Sequence, residues 1–432
     1  MARPRIVIVG AGFAGFHAAR RLARRARGAA DIVLVNPTDY FLYLPLLPEV
    51  AGGVLDPRRV AVPLADTLPG VQVVLGEVDG IDVDGRAVSY VDPDGRAGRL
   101  AYHRLVLAAG SVNKLLPIPG VADHAHGFRG IPEALHLRDH LIQQIELADA
   151  AEDPAERVAR CTFVVVGAGY TGTEVTAQGQ LFTEEIARRH PRLGEVRPRW
   201  LLLDTAKQVL PGLEARMSRA AERVLRERGV DVRLGTSVTE ATADGVRLSD
   251  GRFVPSRTLV WCVGVRPDPL VEATGLAMTK GRVTVDAYLT VPGHPEILAC
   301  GDGAAVPDPA RPGELTPMTA QHAVRQGRLA ADNIAASYGV GERRPYRHRD
   351  LGFVVDLGGW QATADPLHVP LSGPLARAVA RGYHLLALPA NRARTAADWL
   401  FTAVGARPTV QLGLVPGAAV PLDTAAPELL HR

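Results

Sequence analysis

Short apolar runs rich in β-branched residues recur along this chain, and most of them end at glycine. RIVIV (Arg5–Val9) has the pattern of a strand buried on both faces. Gly10, Gly12 and Gly15 follow, then HAARRLARRARG, an Arg- and Ala-rich stretch of helical character. The next strand, DIVLVN, closes at Asn36. The order is repeated later, with Phe163 to Val166, then Gly167, Gly169 and Gly172, and a following strand WLLLD that closes at Asp204. LVLAAGS (Leu105 to Ser111), TLVWCVGVRPDPL around Gly264, and ILACGDGAAV at Gly301 and Asp302 predict strands that end at small residues, as close passage beside a ligand requires.

Strand, glycine turn and helix together form a dinucleotide cradle. The first glycine permits the tight turn, the second lets a pyrophosphate reach the backbone, and the third lets the helix pack against the strand. Free N–H groups at the helix start face the phosphates. One such turn is weak evidence and two, each in full context, are strong; the pair predicts that two dinucleotides meet. Asp204 suits the two ribose hydroxyls of NAD and repels a 2′-phosphate, so NADH is expected over NADPH. Asn36 stands where an acid is usual and offers neutral hydrogen bonds only. Asp302 is placed to accept from a flavin's ribityl hydroxyls, and a plain strand-end turn is the competing reading.

Composition narrows the class. At 432 residues, with 47% apolar and 22% charged side chains, the chain reads as an α/β protein of two or three domains. A net charge of +3 is too weak to argue for nucleic acid. Cys161, Cys262 and Cys300 lie far apart without a CxxC pair, so they give no metal framework, fit a reducing compartment and read as small buried side chains. No signal peptide is read ahead of the first strand, and no apolar run reaches the ~20 residues of a spanning helix, so a cytoplasmic location is expected.

The residues resemble the two-dinucleotide-binding-domain flavoproteins, and within them the type II NADH dehydrogenases, single-chain NADH:quinone oxidoreductases. The likeness rests on GAGFAG, DYFLYLPLLPEVAGGVLDPRRVAVPL, GEVDGID, GAGYTGTEV, ACGD and TPMTAQHAVRQG, and spans nearly the whole chain. It implies an α/β, glutathione-reductase-like fold of two Rossmann-like domains. An FAD domain over 1–120 and 282–365 is interrupted by an NADH domain over 121–281. An amphipathic helical segment for membrane association follows over 366–415, and 416–432 reads as a disordered tail.

The resemblance also implies site residues. For FAD these are Gly10, Gly12, Phe13, Ala14 and Gly15 at the pyrophosphate, Asn36 at the adenosine ribose and Val78 at adenine. Pro45, Ala109, Gly110, Gly301, Asp302, Ala320 and Gln321 complete the flavin set. For NADH they are Gly167, Gly169, Tyr170, Thr171, Gly172, Glu174, Asp204 and Gly264. A helix beginning near Thr319 would aim its N-terminus at the flavin, where partial positive charge stabilises the reduced ring. Glu174, Gln321 and Arg325 are the candidate catalytic residues. Glu174 would position NADH or relay a proton, against the plain reading of an acid at a helix start. Gln321 would reach the quinone. Arg325 departs from the family, which carries a second glutamine there; Gln326 comes next. His322 reads as a packing or surface residue.

The implied activity is hydride transfer from NADH to FAD and passage of two electrons to a membrane quinone, without proton pumping. The partners are then NADH, quinone and a membrane surface, with a homodimer left open. After Pro374, Leu375, Val379, Tyr383 and Leu386 recur at helical spacing, and Trp399, Leu400, Phe401 and Val404 form a second run. With Arg377 and Arg381 between them, these suit a helix lying in a membrane interface with arginines reaching headgroups; packing on the protein's own core is the alternative. Two other functions stay open: a soluble NADH-dependent reductase of a small electron-transfer protein, and a non-catalytic flavin redox sensor.

Overall fold

A computed structural model describes residues 3–422. The chain divides into two compact units. One comprises the chain up to Leu42, Ala61–Val112 and Val265–Arg349; the other comprises Tyr43–Val60, Asn113–Gly264 and the chain from Asp350 onward. The borders fall at different points from those read off the sequence. Residues 43–60 and 350–365 cluster with the second glycine turn, and 265–281 with the first.

The first unit is built on a six-stranded sheet in the order Thr290–Val291, His294–Ala299, Arg104–Leu107, Arg5–Val9, Asp31–Asn36, Gln72–Leu75. All neighbours are parallel except the first pair. Ile6, Val7 and Ile8 are fully buried, as an apolar run covered on both faces must be. On this sheet, helix Phe13–Arg25 packs against helix Ala320–Ala336. Gly327 sets their separation: a Cβ there would stand 2.0 Å from the Ala14 carbonyl oxygen. Arg21 completes the pair with a two-pronged hydrogen bond to Asp332, at 2.8 and 3.0 Å.

The second unit repeats the plan with a five-stranded parallel sheet: Ala125–His126, Thr258–Trp261, Thr162–Val166, Arg199–Asp204, Asp231–Leu234. Phe163 stacks on Trp200 at 4.9 Å, and Gly179 of helix Tyr170–Ala187 makes room for that indole. Residues 43–60 join this unit because the short helix Leu47–Ala51 lies against helices Ile131–Ala150 and Tyr170–Ala187. A three-stranded sheet, Val354–Asp356, Ala362–Ala364 and Leu371–Ser372, leads into helices Gly373–Ala387 and Arg392–Val404.

Within the stretch expected as a disordered tail, 416–422 is folded. Leu422 is buried in the core beside Val121, Val164 and Trp261, and its carbonyl accepts from the Asn113 amide at 3.3 Å. An isolated leucine among prolines and alanines carries no periodicity, so only its tertiary partners reveal it. The remainder, 423–432, lies outside the described residues. Among the described residues no helix is long and apolar enough to cross a membrane.

Candidate functional site

The first glycine turn is shaped by close contacts. Gly10 has φ +88°, and a Cβ there would meet the Ala108 carbonyl at 2.6 Å. At Gly15 a Cβ would fall 1.8 Å from the Gly10 carbonyl oxygen, so only glycine lets the helix start so near the strand. A Cβ on Gly12 would meet nothing within 4 Å beyond its own chain neighbours. No side chain caps the helix that begins at Phe13, and its first turn holds no acid. Asn36, expected at a ribose, fastens the turn: its Oδ1 accepts from the Ala11 amide at 2.7 Å, while its Nδ2 donates to the Thr38 carbonyl at 2.9 Å.

The second turn reproduces this geometry. Gly167 has φ +104°, and a Cβ there would stand 2.2 Å from the Cys262 carbonyl oxygen; one on Gly172 would sit 1.8 Å from the Gly167 carbonyl. Gly169 again opens on free space. The helix from Tyr170 and Thr171 has neither a side-chain cap nor an acid in its first turn. Asp204 accepts the Ala168 amide through Oδ2 at 2.6 Å and the Ala206 amide through Oδ1 at 2.7 Å. Gly264, at φ +101°, closes the neighbouring strand end, and its carbonyl accepts from Lys114 N at 3.1 Å.

In the first unit the other predicted residues gather at strand ends. Gly110 (φ +80°) follows Ala109, and its carbonyl accepts from the Asp268 amide. Asp302 Oδ2 accepts from the Ser111 hydroxyl at 2.7 Å. Gly301, at φ +77°, donates its amide to Gln326 Oε1 at 2.8 Å, and Gln326 Nε2 donates to Thr316 Oγ1 at 3.1 Å. Gln326 is therefore a buried tie between helix and turn, a role with no sequence signature. Val78 lies on the antiparallel strand Glu77–Asp82, opposite Tyr90.

The helix starts at Ala320 with Thr319 as its cap, as the sequence predicts. Arg325 reaches back one turn to Gln321, donating to its carbonyl at 3.0 Å and its Oε1 at 3.3 Å, and also donates to the Arg349 carbonyl at 2.9 Å. The two candidate quinone residues thus touch. His322 is a packing residue, stacked on His348 at 3.9 Å and hydrogen-bonded to the Tyr346 phenol at 2.7 Å.

Glu174 belongs to a buried charge network in the second unit. It accepts the Asp356 amide at 2.9 Å. Burial first, then the nearby Glu49 carboxylate, pushes its pKa well above the ordinary value, against the pull of Arg377. Arg377 is 4% exposed; it pairs with Asp356 and, at 3.2 Å, with Glu49, which also accepts from the Trp399 indole. Arg381 covers the Trp399 ring at 4.9 Å. This corrects the reading of Arg377 as a headgroup ligand and of Trp399 as part of an outward face: the carboxylates that Arg377 meets come from distant segments that periodicity does not connect. Pro45 lies in the 3₁₀ turn Leu44–Leu46 that leads into the Glu49 helix.

Outside this network the same helices keep apolar surface in solvent. Leu386 is 79%, Val404 77%, Phe401 68%, Leu375 63% and Leu400 62% exposed. The cysteines are quiet. Burial raises Cys161 to about 11 and Cys262 and Cys300 to about 12, so all three stay protonated near neutrality.

The sequence profile of the family described as pyridine nucleotide-disulphide oxidoreductase matches residues 4–327. The chain is 31% identical to the type II NADH:quinone oxidoreductase Ndh of Mycobacterium tuberculosis, over 94% of this chain and 89% of the relative. It is 32% identical to the demethylphylloquinone reductase NdbB of a Synechocystis species, over 94% and 97%. In fold it matches NDH2 of Plasmodium falciparum, solved in complex with NADH, with a TM-score of 0.87 at 17% identity, covering 94% of this chain and 100% of that one.

Proposed function

We propose, for a chain that belongs to the pyridine nucleotide-disulphide oxidoreductase family and within it to the type II NADH:quinone oxidoreductases, that it oxidises NADH and reduces a quinone with FAD as resident cofactor. The observation that carries this is the pair of glycine turns with matching geometry, one in each unit. Each leaves its middle glycine, Gly12 or Gly169, open where a phosphate would approach, in front of a helix start that no side chain caps.

The residues fit both nucleotides. Gly10, Gly12, Phe13, Ala14 and Gly15 would hold the FAD pyrophosphate, with Asp302 at the ribityl chain and Ala109, Gly110, Gly301 and Ala320 lining its path. FAD, when bound, supplies two-electron chemistry between nicotinamide and quinone. Gly167, Gly169, Tyr170, Thr171 and Gly172 would hold NADH, and Asp204 its ribose hydroxyls; the carboxylate disfavours a 2′-phosphate.

Glu174, whose proton burial holds more tightly than an ordinary carboxyl would, is suited to donate a hydrogen bond or hold a proton beside the nicotinamide. Gln321 and Arg325, already joined, would present a carboxamide and a guanidinium to quinone oxygens. The exposed apolar residues of the last two helices favour a quinone drawn from a membrane, with the protein peripheral on its cytoplasmic face, over a soluble protein acceptor.

The decisive experiment is a visible spectrum of the purified protein, followed anaerobically by NADH and then a quinone analogue. A flavin spectrum bleached by NADH and restored by quinone supports the assignment. Preparations that cannot be reconstituted with FAD, or that NADH fails to bleach, overturn it. Bleaching without reoxidation by any quinone favours the sensor reading.

A further inference from the structure

We propose that His126, His136 and His140 form a binding site for a borderline transition-metal dication of the zinc class. None of the three takes part in the chemistry above. His136 and His140 stand four residues apart on helix Ile131–Ala150 and so share a face, the spacing by which a helix offers two imidazoles to one ion. His126 comes from the edge strand Ala125–His126, aligned with Val260. Ring centroids lie 4.4, 5.1 and 6.1 Å apart, with interplanar angles of 36–49°, so the rings converge rather than stack.

One ligating atom from each residue lies within 4.8 Å of the others. Nitrogens bound tetrahedrally at zinc distances stand about 3.4 Å apart, so the rings need to draw in by at most roughly 1.4 Å. Outer contacts orient them already: His136 Nδ1 faces the Val415 carbonyl at 3.1 Å and His140 Nε2 the Thr258 hydroxyl at 2.9 Å, the kind of support that holds ligating imidazoles. Burial lowers the pKa of all three, His140 to about 4.

An all-imidazole set suits zinc, cobalt, nickel or copper and not magnesium or calcium. Thr258 begins its strand, and His126 on the neighbouring edge strand is level with Val260, one residue before that strand ends. His126, in register with Val260, and His140, hydrogen-bonded to Thr258, would place the ion along the edge of that sheet. Its effect is to fasten the helix and the Val415 segment to the edge strand, rather than to take part in electron transfer.

The test uses the full-length, flavin-loaded protein after treatment with a chelator. Cobalt(II) is titrated in, and its visible d–d absorption is read at wavelengths longer than those of the flavin. The expected result is an intense low-symmetry band saturating at one equivalent, together with a higher melting temperature. His126→Ala and His140→Ala should each abolish the band and weaken binding by on the order of a hundredfold. His124→Ala, an exposed neighbour, should change neither. Melting of each variant without metal establishes that it is folded, and His140→Gln serves where His140→Ala is not. Absence of the band in the parent protein, or its persistence in folded His126 and His140 variants, overturns the proposal.

Discussion

Asp204 accepts the Ala168 amide at 2.6 Å, the same bond that Asn36 makes to Ala11 at 2.7 Å in the other glycine turn. The residue closing the second strand of each nucleotide unit is thus part of the turn as well as a candidate ribose contact. An asparagine performs the fastening as well as an aspartate. Asp204 differs in its second oxygen, which accepts from the Ala206 amide where the Asn36 Nδ2 donates instead.

Two substitutions separate these roles. Asp204→Asn keeps an acceptor for Ala168 but not for Ala206, and should lower the melting temperature modestly while raising KM for NADH. Asp204→Arg should lower the ratio of NADH to NADPH kcat/KM. Asn36→Ala leaves the Ala11 amide without its partner, which costs about 1–3 kcal/mol and should show as loss of bound flavin during gel filtration.

The third glycines admit no methyl group. Gly15→Ala and Gly172→Ala each force a carbon to 1.8 Å from a carbonyl oxygen, so strand and helix must separate. Each should lose at least about 1–3 kcal/mol of stability. The losses should differ in kind: Gly15→Ala should yield protein depleted of FAD, whereas Gly172→Ala should retain flavin and show a raised KM for NADH.

Arg377 neutralises two acids at once. Arg377→Ala leaves Glu49 and Asp356 buried without their cation and should destabilise the fold by about 3–5 kcal/mol in a denaturant titration. Arg377→Ala combined with Glu49→Gln should recover part of that loss.

Glu174 has a pKa raised above the ordinary carboxyl value of 4.5. The folded state holds this proton more tightly than the unfolded chain, so the stability it brings is complete below pH 4.5 and is lost as pH rises through the folded pKa. Glu174→Gln mimics the protonated form and still accepts from Asp356 N. Its melting temperature should match the parent's below pH 4.5 and exceed it increasingly above. Stopped-flow bleaching by NADH should slow in this variant if the acid serves nicotinamide chemistry.

Membrane attachment can be tested on the exposed faces of the last two helices. Leu386→Glu with Phe401→Glu removes two side chains worth about 1.5–3 kcal/mol each on burial and should weaken sedimentation with vesicles by at least about a hundredfold. Oxidation of NADH by a water-soluble quinone analogue should be unaffected. Unchanged vesicle binding would refer these faces to another partner.

Periodicity and local chemistry alone specify the two strand–turn–helix cradles, the helix start at Thr319 and the final pair of helices. Those features depend on neighbours within a few residues, through turn conformation, capping and the spacing of apolar side chains. Tertiary structure decides what depends on long-range meetings. It brings Glu49 to Arg377 and Trp399, Gln326 to Gly301, His126 to the face of His136 and His140, and Leu422 into the core. A charge in the sequence does not say which desolvated partner it will find, so Arg377, which looks suited to a headgroup, proves to be a buried counter-ion. The local code writes the cradles; burial selects the pairs.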